Sequence, residues 1–196
     1  MKTMSCLLVG VLALSLIGCS SSVEKQKEAL ESPVVVKSKQ DDRAAFGTYK
    51  TWSWVPLERS AQIDPRLDDP EIKELISDAT EKAMFERGYE RVEMSESPDL
   101  VMTAHVTLTD VDQQYIQEHY QGTYYPEYMT KINGESLADQ WTEGAMLIML
   151  FDAKTRQAVW GAGAQGEVYK DLSVDVRRQR IDKIARLLME SLPPAK

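Results

Sequence analysis

The sequence predicts an α+β fold, a two-layer sandwich in which a mixed or antiparallel sheet carries two helices on one face. Three observations predict it. Five short segments are β-branched, alternating or continuously apolar, as strands are. In two longer segments apolar residues recur every three or four positions, as in amphipathic helices. The order strand, strand, helix, strand, strand, strand, helix then favours one sheet packed against both helices.

The first two strands are predicted near residues 34–54. Val34 to Val36 are β-branched and precede a polar run, which indicates an edge strand. The segment from Phe46 to Trp54 predicts a second strand. In it, Trp52 and Trp54 share the core face because side chains two positions apart point the same way. Pro56 ends this strand.

The first helix is predicted over residues 70–87. Asp69 is a suitable N-cap, Pro70 suits the first helical position, and Glu71 complements the helix dipole. Gly88 lies where a left-handed residue commonly ends a helix. Apolar residues at helical spacing mark the buried face: Ile72, Leu75, Ile76, Ala79 and Ala83.

Three further strands are predicted. Leu100 to Thr109 alternate, so that one face is apolar and the other is largely wettable. Ala145 to Phe151 is an unbroken apolar run, which indicates a strand buried on both faces. After a turn, Ala158 to Val168 returns as the second arm of a hairpin. Its glycines indicate bulges or close backbone approach: Gly161, Gly163 and Gly166.

The last helix is predicted from about Ser173 to Leu192, and Pro193-Pro194 stops it. Its buried stripe is apolar: Val174, Ile181, Ile184, Ala185, Leu188 and Leu192. Basic residues populate the rest of its surface: Arg177, Arg178, Arg180, Lys183 and Arg186. We interpret this basic stripe as a solvated helix face. Contact with lipid headgroups or with an acidic partner is the alternative.

Residues 1–18 have the layout of a secretory signal peptide. Lys2 precedes an apolar run from Leu7 to Ile17 that is too short to span a bilayer as a helix. The ending Leu16-Ile17-Gly18-Cys19 resembles the lipobox of bacterial lipoproteins. That resemblance implies cleavage before Cys19 and three acyl chains, such as palmitate, on this cysteine. Ser20, rather than Asp, follows, which by resemblance to enteric-type sorting implies the outer membrane.

We therefore expect a protein held by its N-terminal lipid at the periplasmic face of the outer membrane. The alternative is an ordinary signal peptide in which Cys19 is incidental. Removal of 18 residues from 196 leaves 178, enough for one domain with a substantial core. Residues 19–33 are polar, small or charged, which predicts a flexible tether, and residues 34–196 are predicted to form a single α+β domain.

Cysteine content and charge restrict the function further. Cys6 lies in the predicted signal, so Cys19 is the one cysteine of the mature chain and no disulfide is expected. The mature chain keeps 22 of the 23 basic residues against 31 acidic ones, a net charge of about −9. Such an acidic domain is a poor candidate for binding nucleic acid.

Several short motifs follow one another along the chain: Phe46, Tyr49-Lys50-Thr51-Trp52 and Trp54, Gly88-Tyr89, Pro98-Asp99-Leu100, Asp152, Val159-Trp160, and Leu192-Pro193. Together they resemble the bacterial lipoprotein family known as domain of unknown function 4136, over about Val34 to Pro193. Trp52 stands where Phe is more usual in that family. The resemblance implies an envelope lipoprotein of α+β type, and it offers no established catalytic residues to transfer.

Residues 110–143 form an aromatic-rich insertion between two predicted strands. Its aromatic residues are Tyr115, Tyr120, Tyr124, Tyr125, Tyr128 and Trp141. Connections of this length are uncommon unless they are functional or disordered, and Tyr and Trp are enriched in interfaces. These residues are therefore our candidate binding surface. The alternative is an extension of the sheet, because Asn133-Gly134 is a typical hairpin turn between residues 129–132 and 135–137.

Other titratable residues form no specific motif. One acidic cluster lacks an EF-hand spacing and fits a solvated loop with an N-cap better than a calcium site: Asp64, Asp68, Asp69 and Glu71. His105 and His119 are the only histidines, and no free cysteine remains to complete a zinc site with His105. No G-x-S-x-G, H-E-x-x-H or phosphate-binding glycine loop is present in the sequence.

Three functions remain open. We favour a non-catalytic lipoprotein that binds a protein or another envelope component, in assembly or maintenance of the envelope. The second is a small-ligand binding lipoprotein with a cleft beside the aromatic insertion, and the third is a hydrolase of unrecognised type. We expect no enzyme activity, no metal and no cofactor apart from the covalent lipid. An enclosed apolar pocket with convergent polar groups would favour the second function.

Overall fold

The computed structural model describes residues 18–55, 62–63, 70–107, 131–132, 135–136, 145–169 and 171–196. Within these residues the chain forms three α-helices: α1 (Gly18–Glu31), α2 (Pro70–Glu86) and α3 (Val174–Met189). The strands in the same ranges are β1 (Val34–Gln40), β2 (Thr51–Trp54), β3 (Gln62–Ile63), β4 (Glu90–Arg91), β5 (Leu100–Thr107), β6 (Lys131–Ile132), β7 (Glu135–Ser136), β8 (Ala145–Asp152) and β9 (Ala158–Gly166).

Seven of the described strands form one open mixed sheet in the order β1-β9-β8-β5-β2-β4, with β3 also paired to β5, and β6 and β7 form a separate two-stranded sheet. The pairs β1–β9, β9–β8 and β8–β5 are antiparallel, whereas β2 runs parallel to β5 and β4. Parallel neighbours need a crossover connection, and α2 provides it after β2. The predicted α+β sandwich is confirmed.

The main core lies between this sheet and the two helices α2 and α3. Met102 and Ile148 from the sheet, Met84 from α2 and Leu188 from α3 all belong to one cluster of buried side chains. Trp52 and Trp54 are buried in the same cluster, as predicted, and their rings meet edge to face with centroids 5.5 Å apart. Both predicted helices therefore pack on one face of the sheet.

The predicted boundaries of α2 are confirmed to within one residue, because the local signals at both ends are strong. Pro70 begins the helix, and Gly88 follows it with φ of +87°. That left-handed conformation is one that residues with a Cβ rarely adopt. The predicted β8–β9 hairpin is confirmed by its pairing. On either side of residues 133–134, which lie outside the described residues, β6 and β7 pair antiparallel with Lys131 opposite Ser136, but they form a separate two-stranded sheet rather than the extension of the main sheet considered as the alternative.

The prediction of a strand from Phe46 is wrong, since β2 begins only at Thr51. The backbone amides of Lys50 and Thr51 donate to Asp99 Oδ2 at 2.9 and 3.1 Å. These amides therefore bind a side-chain carboxylate instead of the backbone of a neighbouring strand. Phe46 and Tyr49 are nevertheless buried, with their rings edge to face. Alternation of side chains thus placed Trp52 and Trp54 in the core correctly, but it did not locate the start of the strand or predict the burial of Tyr49.

The second face of β5 is also less exposed than predicted. Val101 and Thr103 are 1% and 7% exposed. They pair across the ladder with Phe151 and Met149 of β8, which belong to a second buried apolar cluster. Because β8 is apolar on both faces, its neighbour in the sheet lies beside large apolar side chains on the face predicted to be wettable.

The prediction of a flexible tether over residues 19–33 is wrong, because most of this segment forms α1. The last four carbonyls of a helix lack partners within it and carry partial negative charge. Cations of α3 bind two of those carbonyls. The Arg180 guanidinium donates to Ala29 O, and Lys183 Nζ donates to Leu30 O at 3.0 Å. Ala29 is fully buried as a result.

Asp99 joins the start of β2 to the start of β5. In addition to the two amides, the Thr51 hydroxyl lies 3.1 Å from Asp99 Oδ2, and the amide of Asp99 donates back to Thr51 Oγ1 at 3.0 Å. Burial raises the pKa of Asp99, but the donated hydrogen bonds outweigh it and hold the pKa below its ordinary value of 3.8. The ionised carboxylate is therefore the form that stabilises the fold.

We expect Asp99→Ala to lower the free energy of unfolding by about 2 to 3 kcal/mol, because two backbone amides lose their acceptor. Asp42→Ala, a change at an exposed residue, is the matched control and should cost less than about 0.5 kcal/mol. Urea unfolding followed by circular dichroism measures both. The contribution of Asp99 is fully present above about pH 4 and is lost as the pH falls through its lowered pKa, so the two proteins should converge in acid.

Candidate functional site

A cavity of about 160 Å³ lies between α2, α3 and the sheet, and it is partly open to solvent. Aliphatic side chains from four elements line most of it: Ile72 and Ile76 of α2, Val106 of β5, Met146 of β8, and Ile181 and Ile184 of α3. The polar groups are concentrated at the end of β9 and along α3, where Arg177 and Arg180 also line the cavity. The site is therefore apolar, with Arg177, Arg180 and the acidic Glu167 on its polar side.

Arg180 is the buried polar residue of this site, with 6% of its surface exposed. Besides its bond to Ala29 O, its guanidinium donates to Glu167 O at 2.8 Å and lies 5.0 Å from the centroid of the Tyr169 ring. Burial lowers the pKa of Arg180, and the nearby acidic groups of Tyr169 and Glu167 partly offset that shift. The guanidinium thus joins α3 to α1 and to the end of β9.

Two neighbours set the shape of the site around Arg180. An added Cβ at Gly166 would lie 3.4 Å from the Arg180 guanidinium and 3.5 Å from Pro33 O, which are ordinary contact distances, so the space at this position does not require the glycine that the sequence suggested for a close approach. Arg177 lies 3.7 Å from Glu71 Oε2, a long ion pair between partly exposed side chains. Pairs of that kind contribute little to stability.

The basic stripe of α3 is only partly the solvated face that we predicted. Arg178 and Arg186 are exposed, but Arg180 is buried. The spacing did contain a signal, because Arg180 precedes Ile184 by four residues and Leu188 by eight and therefore shares their helix face. The sequence could not indicate that the carbonyl oxygens of Ala29 and Glu167 lie beside this position and stabilise a buried cation there.

The candidate aromatic surface lies outside the described residues: Tyr115, Tyr120, Tyr124, Tyr125, Tyr128 and Trp141. It therefore stays a prediction. Cys19 lies in the first turn of α1. Of the acidic cluster, Asp64, Asp68 and Asp69 are outside the described residues, while Glu71 pairs with Arg177. Within the described ranges no three His, Cys, Asp or Glu side chains are grouped as a metal site.

Several residues of the motifs that resemble those of a lipoprotein family make hydrogen bonds that stabilise the fold. Tyr49 donates to Asp152 Oδ2 at 2.8 Å, and Asp152 Oδ1 accepts from the amides of Lys154 and Thr155. Tyr89 donates to Pro193 O at 2.7 Å, which ties the end of the chain to β4, and burial raises the pKa of Tyr89 to about 12. These ionisable groups are engaged in structural bonds.

His105 lies in β5, paired with Leu147 of β8. Burial lowers its pKa to about 4, so the imidazole is neutral at physiological pH.

No helix in the described residues is long and apolar enough to cross a membrane.

Comparison with known proteins identifies the family. The model of the family described as "Domain of unknown function (DUF4136)" matches residues 36–194. The chain belongs to the DUF4136 family. Among curated proteins, no relative matches.

Solved structures with similar folds include another DUF4136 protein, from Bacteroides thetaiotaomicron. It is 16% identical with a TM-score of 0.57, and the match covers 81% of this chain and 95% of that one. A PelC dodecamer from Paraburkholderia phytofirmans is 13% identical with a TM-score of 0.47, over 84% and 100% of the two chains. The similarity to the Bacteroides thetaiotaomicron protein supports the α+β fold of this chain.

We expect Arg180→Gln to loosen α1, because the amide cannot supply a cation to the carbonyl of Ala29. Hydrogen exchange of the α1 amides should become at least tenfold faster, a change equivalent to roughly 1.4 kcal/mol in local opening. Arg178→Gln, at an exposed position on the same helix, is the control and should leave α1 protected. Equal protection of α1 in both variants would contradict the role given to Arg180.

We expect the thermal midpoint to fall as the pH drops from about 6.5 to about 4, because the unfolded chain protonates His105 in this range and the folded chain does not. The stability from neutral His105 is complete above pH 6.5 and is lost progressively below it. His105→Gln should flatten this part of the profile, measured by calorimetry at half-unit intervals of pH. An unchanged profile would show that His105 is not the group responsible.

Proposed function

We propose that this DUF4136 protein is a non-catalytic binding protein of the cell envelope. Acyl chains on Cys19 hold it at the periplasmic face of the outer membrane, where it binds another protein or envelope component in assembly or maintenance of the envelope. The lipobox-like sequence ending at Cys19 is the basis for the anchor. The position of α1 in the fold also supports this anchor.

The observation that carries this proposal is the position of Cys19 at the second residue of α1, a helix whose other end is bound by α3. Cleavage before Cys19 would remove Gly18 and leave 13 of the 14 residues of α1, which span about 20 Å at a rise of 1.5 Å per residue. A lipid on Cys19 is then joined to the folded domain through a helix. This supports an anchor that holds the domain near the membrane in a restricted range of orientations.

A binding function is favoured over catalysis by the use of the ionisable side chains. In the described residues, Asp99, Asp152 and Tyr49 are committed to bonds between strands and loops, and Arg180 is committed to carbonyl oxygens. A general acid or base needs a proton that it can exchange with a substrate. The proposal includes no cofactor other than the covalent lipid.

The aromatic insertion over residues 110–143 remains the proposed surface for a protein partner or envelope component. Tyr and Trp supply rigid, amphipathic contact area, which is why they are enriched at interfaces. The acidic net charge of the chain makes nucleic acid an improbable partner by electrostatics.

A small-ligand binding function is the second candidate, and one specific observation favours it. The cavity between α2, α3 and the sheet combines an aliphatic lining with Arg177 and Arg180. Ligand sites typically combine such a lining with a few polar groups. Its volume of about 160 Å³ is below the usual range of about 300 to 1,000 Å³, so only a small group would enter it.

We expect Cys19→Ala to abolish acylation and to release the domain from the membrane fraction into the soluble one. Folding should be unchanged, because α1 is held at its other end by Arg180 and Lys183. Density-gradient fractionation with circular dichroism of the released protein measures both effects, and Ser22→Ala is the control. A variant that stays in the membranes, or wild-type protein found in the inner-membrane fraction, would contradict the proposed anchor.

We expect a photo-crosslinking amino acid at Tyr124 or Trp141 to capture one specific envelope partner in living cells. The same amino acid at Phe85, an exposed aromatic residue on α2, is the control and should give no comparable product. Mass spectrometry of the cross-linked species identifies the partner. Absence of a specific protein at both insertion positions would favour the small-ligand function instead.

A further inference from the structure

Helices α2 and α3 run in the same direction, so that both start at one end of the domain. Near their starts, Glu71 Oε2 of α2 lies 3.7 Å from Arg177 Nη1 of α3. Beyond their last turns, the Tyr89 hydroxyl donates to Pro193 O at 2.7 Å. We call the end that contains the first turns of α2 and α3 the helix-start end of the domain.

Helix α1 points its N-terminus toward this same end. The hydroxyl of Ser173, the N-cap of α3, donates to Gln26 Oε1 at 2.7 Å. Farther along both helices, Lys183 Nζ donates to Leu30 O at 3.0 Å, so α1 and α3 run in the same direction. Cys19 precedes Gln26 by seven residues, which is about 10 Å along α1. A lipid on Cys19 would therefore leave the protein at the helix-start end.

Exposed valines are concentrated at the helix-start end. Val23 lies in the first half of α1, and Val168 and Val174 flank the segment that leads into α3. In the described residues the other exposed large apolar side chains are Val35, near the start of β1, and Phe85, near the far end of α2. Single exposed apolar residues are common on soluble proteins. The grouping of three valines where the lipid would leave is what indicates a shared role.

The apolar surface at this end continues into the cavity between α2, α3 and the sheet. Val168 is both exposed and part of the lining of that partly open cavity. Ile72 in the first turn of α2 and Leu172 before α3 also line it. The helix-start end is therefore apolar at its surface and directly beneath it.

The charges beside Val174 favour a zwitterionic partner over an anionic one. Asp171 and Asp175 lie on either side of Val174 in the chain, and Lys25 pairs with Asp171 at 3.7 Å. Binding at a lipid surface increases with the apolar area buried and with attraction between basic residues and anionic lipids. Because acidic side chains flank Val174, a lipid contact here depends on the apolar area.

We propose that α1 holds the helix-start end against a bilayer of zwitterionic phospholipid, with Val23, Val168 and Val174 at the lipid surface. This inference rests on the proposed acylation of Cys19, because that lipid places the bilayer beside this end. A few valines would bind a bilayer only weakly by themselves. The lipid gives their contact a high effective concentration, and the docked helix limits the orientations of the domain. The far ends of α2 and α3 would then face the periplasm.

The test uses the acylated mature protein in phosphatidylcholine vesicles that contain a lipid with a nickel-chelating headgroup. A nitroxide spin label is attached at Val174→Cys or at Phe85→Cys, two exposed apolar positions. Because Cys6 would be removed and Cys19 acylated, the introduced cysteine is the thiol that takes the label. Nickel should enhance relaxation at least about fivefold more at position 174 than at position 85, since Phe85 lies about 22 Å from the start of α2.

A pair of variants at Glu24, an exposed residue of α1, tests the role of the helix. Glu24→Pro interrupts α1 between Cys19 and the docked end, because proline removes a backbone donor and clashes with the preceding turn. Glu24→Ala keeps the helix and is the matched control. The difference between the two label positions should fall below about twofold in Glu24→Pro, through a flexible connection, and persist in Glu24→Ala. If Glu24→Pro does not fold by circular dichroism, the comparison in the wild-type background decides.

Mass spectrometry of the same samples separates failure of this inference from failure of the anchor. With Cys19 acylated, equal enhancement at the two positions, or more at position 85, would overturn the inference and leave the anchor intact. An unmodified Cys19 would overturn the anchor and the inference with it. Stronger enhancement at position 174 after addition of anionic phosphatidylglycerol would overturn the apolar contact. An undiminished difference in folded Glu24→Pro would overturn the role of α1.

Discussion

Arg180 places a cation in the interior of an acidic protein and binds three separate parts of the chain with it. Its guanidinium reaches the last turn of α1 at Ala29, the backbone after β9 at Glu167, and the ring of Tyr169. The helix dipole of α1 and the carbonyl oxygens supply the negative potential that the buried charge requires. The position of the N-terminal helix and the wall of the cavity therefore depend on the same side chain.

The rest of the fold depends on carboxylates that fix where strands begin. Asp99 binds the backbone of Lys50 and Thr51, and Asp152 binds Tyr49, so three consecutive residues at the entry to β2 are held by acidic side chains. Their pKa values are lowered by the bonds they accept, despite burial. Several of the motif residues that resemble the DUF4136 family make these contacts, among them Tyr49, Asp99 and Asp152.

The elements that could be predicted from the sequence are those with local signals. Helix α2 has a proline at its start and a glycine at its end, and the run from Ala145 to Phe151 is apolar throughout. The start of β2, the helix α1 and the burial of Arg180 could not be predicted, because each depends on a partner distant in sequence: Asp99, α3 and Ala29. The candidate aromatic surface and the cleft expected beside it remain predictions. The cavity between α2, α3 and the sheet was not predicted, because its lining comes from six separate elements.

We propose that a lipid on Cys19 anchors a domain whose N-terminal helix is fixed to its body. Because α1 is docked, the lipid would determine which surfaces of the domain face the membrane and which face the periplasm. Mass spectrometry of the N-terminal peptide, taken from protein purified out of native membranes, tests this claim most directly. The account predicts a chain that begins at Cys19 and carries three acyl chains. An N-terminus at another residue, or an unmodified Cys19, would contradict it.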